Sequence, residues 1–129
     1  MTDYNTKNSL GSLNLDYTLF VAGTYFESLE VLLDEATAGY TPANGDVLCY
    51  KTDDSNKHQK YDHTDANLVV MGVVFDVQED NTGTPVVKLS YAINCSVHYA
   101  ALGYTGTQNA AQKLGMVNAM REKNCNVVD

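Results

Sequence analysis

Any chemistry in this chain would have to come from a few scattered side chains. His58 and His63 lie five apart, and His63-Thr64-Asp65 sets an imidazole beside a carboxylate. Zinc sites use three or four ligands at close spacing, and neither a Cys-x-x-Cys nor a third histidine lies near. The surrounding stretch, 51–65, is polar, so a surface histidine pair on a solvated loop or frayed hairpin is expected, and no metal. Asp76, Glu79 and Asp80 precede Asn81-Thr82-Gly83. They miss the twelve-residue calcium-loop pattern, so a solvated acidic turn is expected. Cys49 could pair with a histidine as a nucleophile. It sits instead within Asp46-Val47-Leu48-Cys49-Tyr50, a short strand pattern where a thiol acts as a small buried hydrophobe. The sequence contains no phosphate-cradling glycine loop and no nucleophile elbow. No acid, base, nucleophile and metal converge, so neither an enzyme nor a cofactor is expected.

Composition narrows the classes further. The 129 residues suggest one domain, long enough to bury a core without metals or disulfides. A formal charge of −8 argues against nucleic-acid binding, which draws most of its affinity from basic patches. The three cysteines, Cys49, Cys95 and Cys125, are odd in number and widely spaced. They read as reduced thiols of a protein made in the cytoplasm, not as a disulfide framework. No apolar run nears the ~20 residues of a membrane span, so no membrane partner is expected. The polar N-terminus lacks the basic-then-apolar order of a signal peptide.

The elements that would carry such residues are mostly strands. Leu68 to Phe75 holds seven apolar residues, four of them Val, interrupted by Gly72. A run this short and continuous reads as a strand buried on both faces, with Val69, Val70, Val73 and Val74 in the core. The glycine marks a bulge or a close backbone approach. From Val87 to Val97 every second residue is apolar, which predicts a half-buried strand with Lys88, Ser90, Ala92, Asn94 and Ser96 on a wet face. Tyr25 to Leu33 reads as a further strand. Gln108 to Leu114 reads as a helix capped by Thr107 and closed by Gly115 at C′. Asn118 to Asp129 is expected to form a short helix or turn and then a tail. Before all of these, residues 1–20 form a polar arm in which Leu13, Leu15, Tyr17 and Leu19 alternate with polar neighbours.

Three stretches carry a resemblance: Gly45-Asp46-Val47-Leu48, Val70-Met71-Gly72-Val73-Val74, and Ala110-Ala111-Gln112-Lys113-Leu114-Gly115-Met116. Their order and spacing, over roughly residues 24–117, resemble the lambda-type head-decoration proteins of tailed bacteriophages. The Leu68–Phe75 run is more apolar than the family needs, and the tail after Met116 is longer. The resemblance implies a mainly β fold with one or two short helices. The body, residues 21–129, would be a small single-domain β-barrel or β-tulip, with residues 1–20 as an extended arm. It implies a structural virion protein on the capsid exterior, made in the host cytoplasm, that binds the major capsid protein as a homotrimer and cements the expanded head. The arm residues Leu10, Leu13, Leu15, Tyr17, Leu19 and Phe20 would face the capsid. Tyr99, Leu102 and Tyr104 are candidates for the trimer interface. The alternative is a β-rich module that binds carbohydrate or protein on a virion or cell surface, with Tyr4, Tyr40, Tyr99 and Tyr104 as stacking residues.

Overall fold

The longest strand runs through the apolar stretch and past it. The computed structural model of the chain describes residues 18–33, 40–53, 57–80 and 86–129. Its elements are β1 (Glu27–Leu33), β2 (Val47–Lys51), β3 (His58–Lys60), β4 (Leu68–Asp80), β5 (Val86–Ile93), β6 (Cys95–His98), a 3-10 turn (Tyr99–Ala101), α1 (Ala110–Arg121) and β7 (Cys125–Val128). The fold is mainly β with a single α-helix among the described residues. Five strands form an antiparallel sheet in the order β1-β5-β4-β2-β3, and β6 and β7 form a parallel pair. The barrel expectation is corrected: among the described residues the sheet is open, ending at β1 and β3.

β4 sits at the centre because its residues fill both faces. Val70, Val73 and Val74 are buried, while Val69 is only half-buried. In β2 the successive residues Val47, Leu48 and Cys49 are all fully buried, although neighbours in a strand point to opposite faces. The sheet therefore has two cores. On one face Val47, Cys49, Val73 and Ala92 pack with Met116 and Met120 of the helix. On the other Leu48, Val74, Leu89 and Leu33 gather Tyr40, Met71 and Tyr91. This two-sided burial corrects the reading of β5: Ser90 and Ala92, expected on a wet face, are buried.

Gly72 does both things foreseen for it. A Cβ there would lie 2.4 Å from the Ala92 carbonyl oxygen, so β5 approaches too closely for a side chain. Beside it the β2–β4 register slips at Leu48/Cys49, leaving Met71 as an extra residue. A second slip opposite β5 leaves Phe75 extra. The Phe75 ring meets Phe20 and Phe26 edge-on, at 6.0 and 5.2 Å. β4 then continues to Asp80, so Asp76, Glu79 and Asp80 lie in a strand and not in a turn.

The long alternating strand expected over 87–97 breaks at Asn94, whose φ is 53°. The chain leaves the large sheet there and enters β6. β6, α1 and β7 form a crossover, the connection that parallel neighbours require. The helix runs well past its expected end. Asn109, not Thr107, is its N-cap: Asn109 Oδ1 accepts from the Gln112 amide and Gln112 Oε1 accepts from the Asn109 amide, both at 2.9 Å. Gly115 lies mid-helix because Met116, Val117 and Met120 beyond it are buried, and that burial outweighs a local stop signal. From residue 118 the chain forms the last turn of α1, not a second helix, then a tight turn, and the expected tail is instead β7.

Two substitutions test this packing. Val73 is fully buried, and an unpaired buried charge costs several kcal/mol, so Val73→Asp should abolish cooperative thermal unfolding. A soluble, cooperatively folded variant would contradict the core. A Cβ on Gly115 would meet nothing within 4 Å. Gly115→Ala should therefore stabilise the fold by about 1 kcal/mol in denaturant titration, since helical glycine is disfavoured by that amount.

Candidate functional site

The arm's expected contact residues fall into two groups. Leu10, Leu13, Leu15 and Tyr17 lie outside the described residues. Leu19 and Phe20 belong to the body, at 2% and 3% exposure. The Phe20 ring stacks on Phe26 at 4.6 Å, and Phe20 bridges Val97 in β6. The His98 amide donates to the Leu19 carbonyl at 2.8 Å, and the Val21 amide to the Ser96 carbonyl at 3.0 Å. These two residues anchor the start of the body and cannot also face a partner.

The interface candidates divide similarly. Leu102 is buried in the larger core and is withdrawn as an interface residue. Tyr99 and Tyr104 are half-buried, and their hydroxyls lie 2.8 Å apart. Tyr99 Oη donates to Gln108 Oε1 at 3.0 Å, and Lys113 Nζ stands 4.1 Å above the Tyr99 ring while pairing with Asp129. Burial, then the Tyr104 hydrogen bond, push the Tyr99 phenol up to about 12. The cluster ties the 3-10 turn to α1 and the chain end. Tyr40 is held too, so the expected set of stacking tyrosines is not an exposed platform; Tyr4 lies outside the described residues.

The exposed apolar surface lies elsewhere. β1 is an edge strand, hydrogen-bonded among the described residues to β5 alone. Leu29 is 40% exposed and Leu32 54%, on opposite faces of the strand, and Tyr25 just before it is 93% exposed. The Lys88–Glu30 pair across β1 and β5, at 3.5 Å, is a surface ion pair that contributes at most about 1 kcal/mol. A strand edge with apolar side chains is a template for pairing with another chain. On the helix, Leu114 is 55% exposed.

Asp62, Asp65 and Cys49 are held in local contacts or in the core. Asp65 Oδ2 takes Lys51 Nζ at 2.6 Å, and this contact holds its carboxyl below the usual range. Asp62 Oδ1 accepts from the Thr64 amide and hydroxyl, which shapes the turn around His63. His58 lies in β3, which pairs with β2 as a hairpin. Burial pushes the Cys49 thiol up to about 12, far from a nucleophile's range. Among the described residues no three His, Cys, Asp or Glu side chains gather as metal ligands, and no helix is long and apolar enough to cross a membrane.

Asp46 is the buried polar residue that sequence reasoning passed over. It is 4% exposed. Its Oδ2 accepts the Tyr40 hydroxyl at 3.1 Å and the Ala43 amide at 3.0 Å. Around it the Gly45 amide donates to the Val74 carbonyl at 2.6 Å, and the Val74 amide to the Asp46 carbonyl at 2.9 Å. The Gly103 amide donates to the Gly45 carbonyl at 2.9 Å, and the Val47 amide to the Gly103 carbonyl at 3.0 Å. Gly45 has φ 94°, and a Cβ on Gly103 would lie 2.2 Å from Asp46 Oδ1, so both positions need glycine. The signal was present as Gly-Asp between a turn and a strand. No family model matches the chain, and no curated protein matches it.

The carboxyl of Asp46 yields a pH prediction. Burial, its largest influence, raises the folded-state value above the ordinary 3.8, and the Ala43 and Tyr40 hydrogen bonds only partly oppose this. The fold thus favours the protonated form. The group's contribution is fully present below the unfolded value and declines as pH rises through the folded value. In urea titrations the stability of wild type relative to Asp46→Asn should fall as pH goes from about 3 to neutrality. A difference that is flat or rises with pH would contradict this reading.

Proposed function

We propose that this chain is a structural virion protein that binds the outer surface of a phage capsid as a homotrimer and cements the expanded head, with the major capsid protein as its partner. One observation carries the reading. The three stretches behind the resemblance meet around one core: Gly45 and Asp46 hydrogen-bond to Val74, and Val47, Val73 and Met116 share the larger cluster. A cement protein needs a rigid body, an adhesive edge and an arm fixed at its root. The body is doubly cored, β1 presents Leu29 and Leu32, and Leu19 and Phe20 pin the start of the body onto β6. Covering the exposed parts of those two leucines would contribute about 1 kcal/mol each. A shell repeats such contacts many times, so modest affinity per copy grows through avidity.

The boundary of the arm changes the experiment. Deleting residues 1–20 would remove Leu19 and Phe20 from the core, so the informative deletion is 1–17. That protein should keep its circular dichroism spectrum and cooperative melt, yet no longer co-sediment with expanded, undecorated heads that bind the full chain. If the full chain does not bind such heads, the capsid reading fails. If the 1–17 deletion still saturates them, the adhesive surface lies on the body.

A further inference from the structure

We propose that Cys95 and Cys125 form a latent disulfide site, which a small-molecule disulfide oxidises to staple strand β7 to β6. The inference is independent of the capsid reading. The two residues are direct partners in the parallel register, and their Sγ atoms lie 3.6 Å apart. Neighbouring strands stand about 4.8 Å apart, inside the roughly 4.4–6.8 Å range of Cα separations that disulfides accept. The bond therefore needs side-chain rotation rather than backbone movement.

A matched pair of asparagines sets this register. Asn94 and Asn124 each precede a cysteine, and both adopt left-handed backbone, φ 53° and 55°. Asn124 Nδ2 donates to Asn94 Oδ1 at 2.9 Å. The Asn94 amide donates to the Lys123 carbonyl at 3.1 Å, and the Cys95 amide to the Asn124 carbonyl at 3.0 Å. The sequence carries the same pattern twice, Asn94-Cys95-Ser96-Val97 and Asn124-Cys125-Asn126-Val127. The reading of three unrelated thiols missed that repeat.

The chemistry runs in a definite order. Cys95 donates its S–H to Cys125, which lowers the Cys125 thiol from its ordinary value and raises that of Cys95. Both are buried, but a groove of about 300 Å3 lined by Arg121, Asn124, Cys125 and Asn126 lies against Cys125. β7 is a four-residue strand that pairs, among the described residues, with β6 alone, and a short strand with one partner opens locally at low cost. The Cys125 thiolate attacks one sulfur of the reagent, breaking its S–S bond and releasing one small thiolate. That thiolate takes the Cys95 proton. The Cys95 thiolate then attacks Cys125 Sγ and expels the second small thiolate, which takes up from solvent the proton that Cys125 had released. Two protein thiols are oxidised, and one small disulfide is reduced to two thiols. The new bond joins residues 30 apart in sequence, a span that encloses all of α1.

The test uses the full chain, reduced and then incubated with oxidised glutathione. Thiols titrated in denaturant should fall from three to one, with a loss of two hydrogens in the intact mass and no retained adduct. Peptide mapping should link Cys95 to Cys125, and the melting temperature should rise by about 10 °C. Cys49→Ser should oxidise as wild type does, leaving no thiol. Cys95→Ala, if folded, should form no internal bond. Three surviving thiols, a stable glutathione adduct or a link through Cys49 would each overturn the proposal.

Discussion

The carboxyl of Asp46, the one acidic group buried among the described residues, lies where the chain crosses itself, and the geometry around it holds the molecule together. Among the described residues Asp46 Oδ2 accepts from Tyr40 and Ala43, while its own backbone joins Val74 of the central strand. Burying a carboxyl is costly unless it is hydrogen-bonded. Here it fixes one arrangement of the 40–47 segment against β4 and the 101–103 segment. Gly45 lets the chain pass close to the Ala101 carbonyl, and Gly103 leaves room for the Asp46 carboxyl. β2 then enters the sheet with a defined register, and β2 is where both cores begin.

Two consequences reach the surface. Because β2, β4 and β5 are filled on both faces, apolar residues beyond them have nowhere to go but the edge. Leu29 and Leu32 on β1 are that remainder. Leu19 and Phe20 are drawn into the larger core against β6. A body of this kind, with apolar side chains on an edge strand, suits the cementing role we propose.

Much of this was legible because burial on both faces leaves a strong trace. The Val-rich run of β4 and the Val47–Cys49 stretch are apolar without alternation, and they are central strands. The departures share one physical cause, tertiary packing that outweighs a local signal. Gly115 looks like a helix stop, yet Met116 and Met120 lie on the buried side of the next turn. Leu19 and Phe20 look like part of an alternating arm, yet three phenylalanine rings meet around Phe20 and Phe26. Asn94 interrupts a regular alternation with one left-handed residue, and only its echo at Asn124 hints at the second sheet. Cys49 lies in the core, as the strand pattern around it implied, and Asp65 is held by Lys51.

The central claim is that the Asp46 crossing holds both cores in one cooperative unit. Native-state hydrogen exchange on the full chain tests it at named amides. Val47, Val74 and Gly103 should exchange only through global unfolding, with the same free energy and the same denaturant dependence as one another. Exchange of the Gly103 or Val74 amide by a local opening well below the global free energy would contradict the claim, because the crossing would then be a surface clasp and not the tie on which the fold depends.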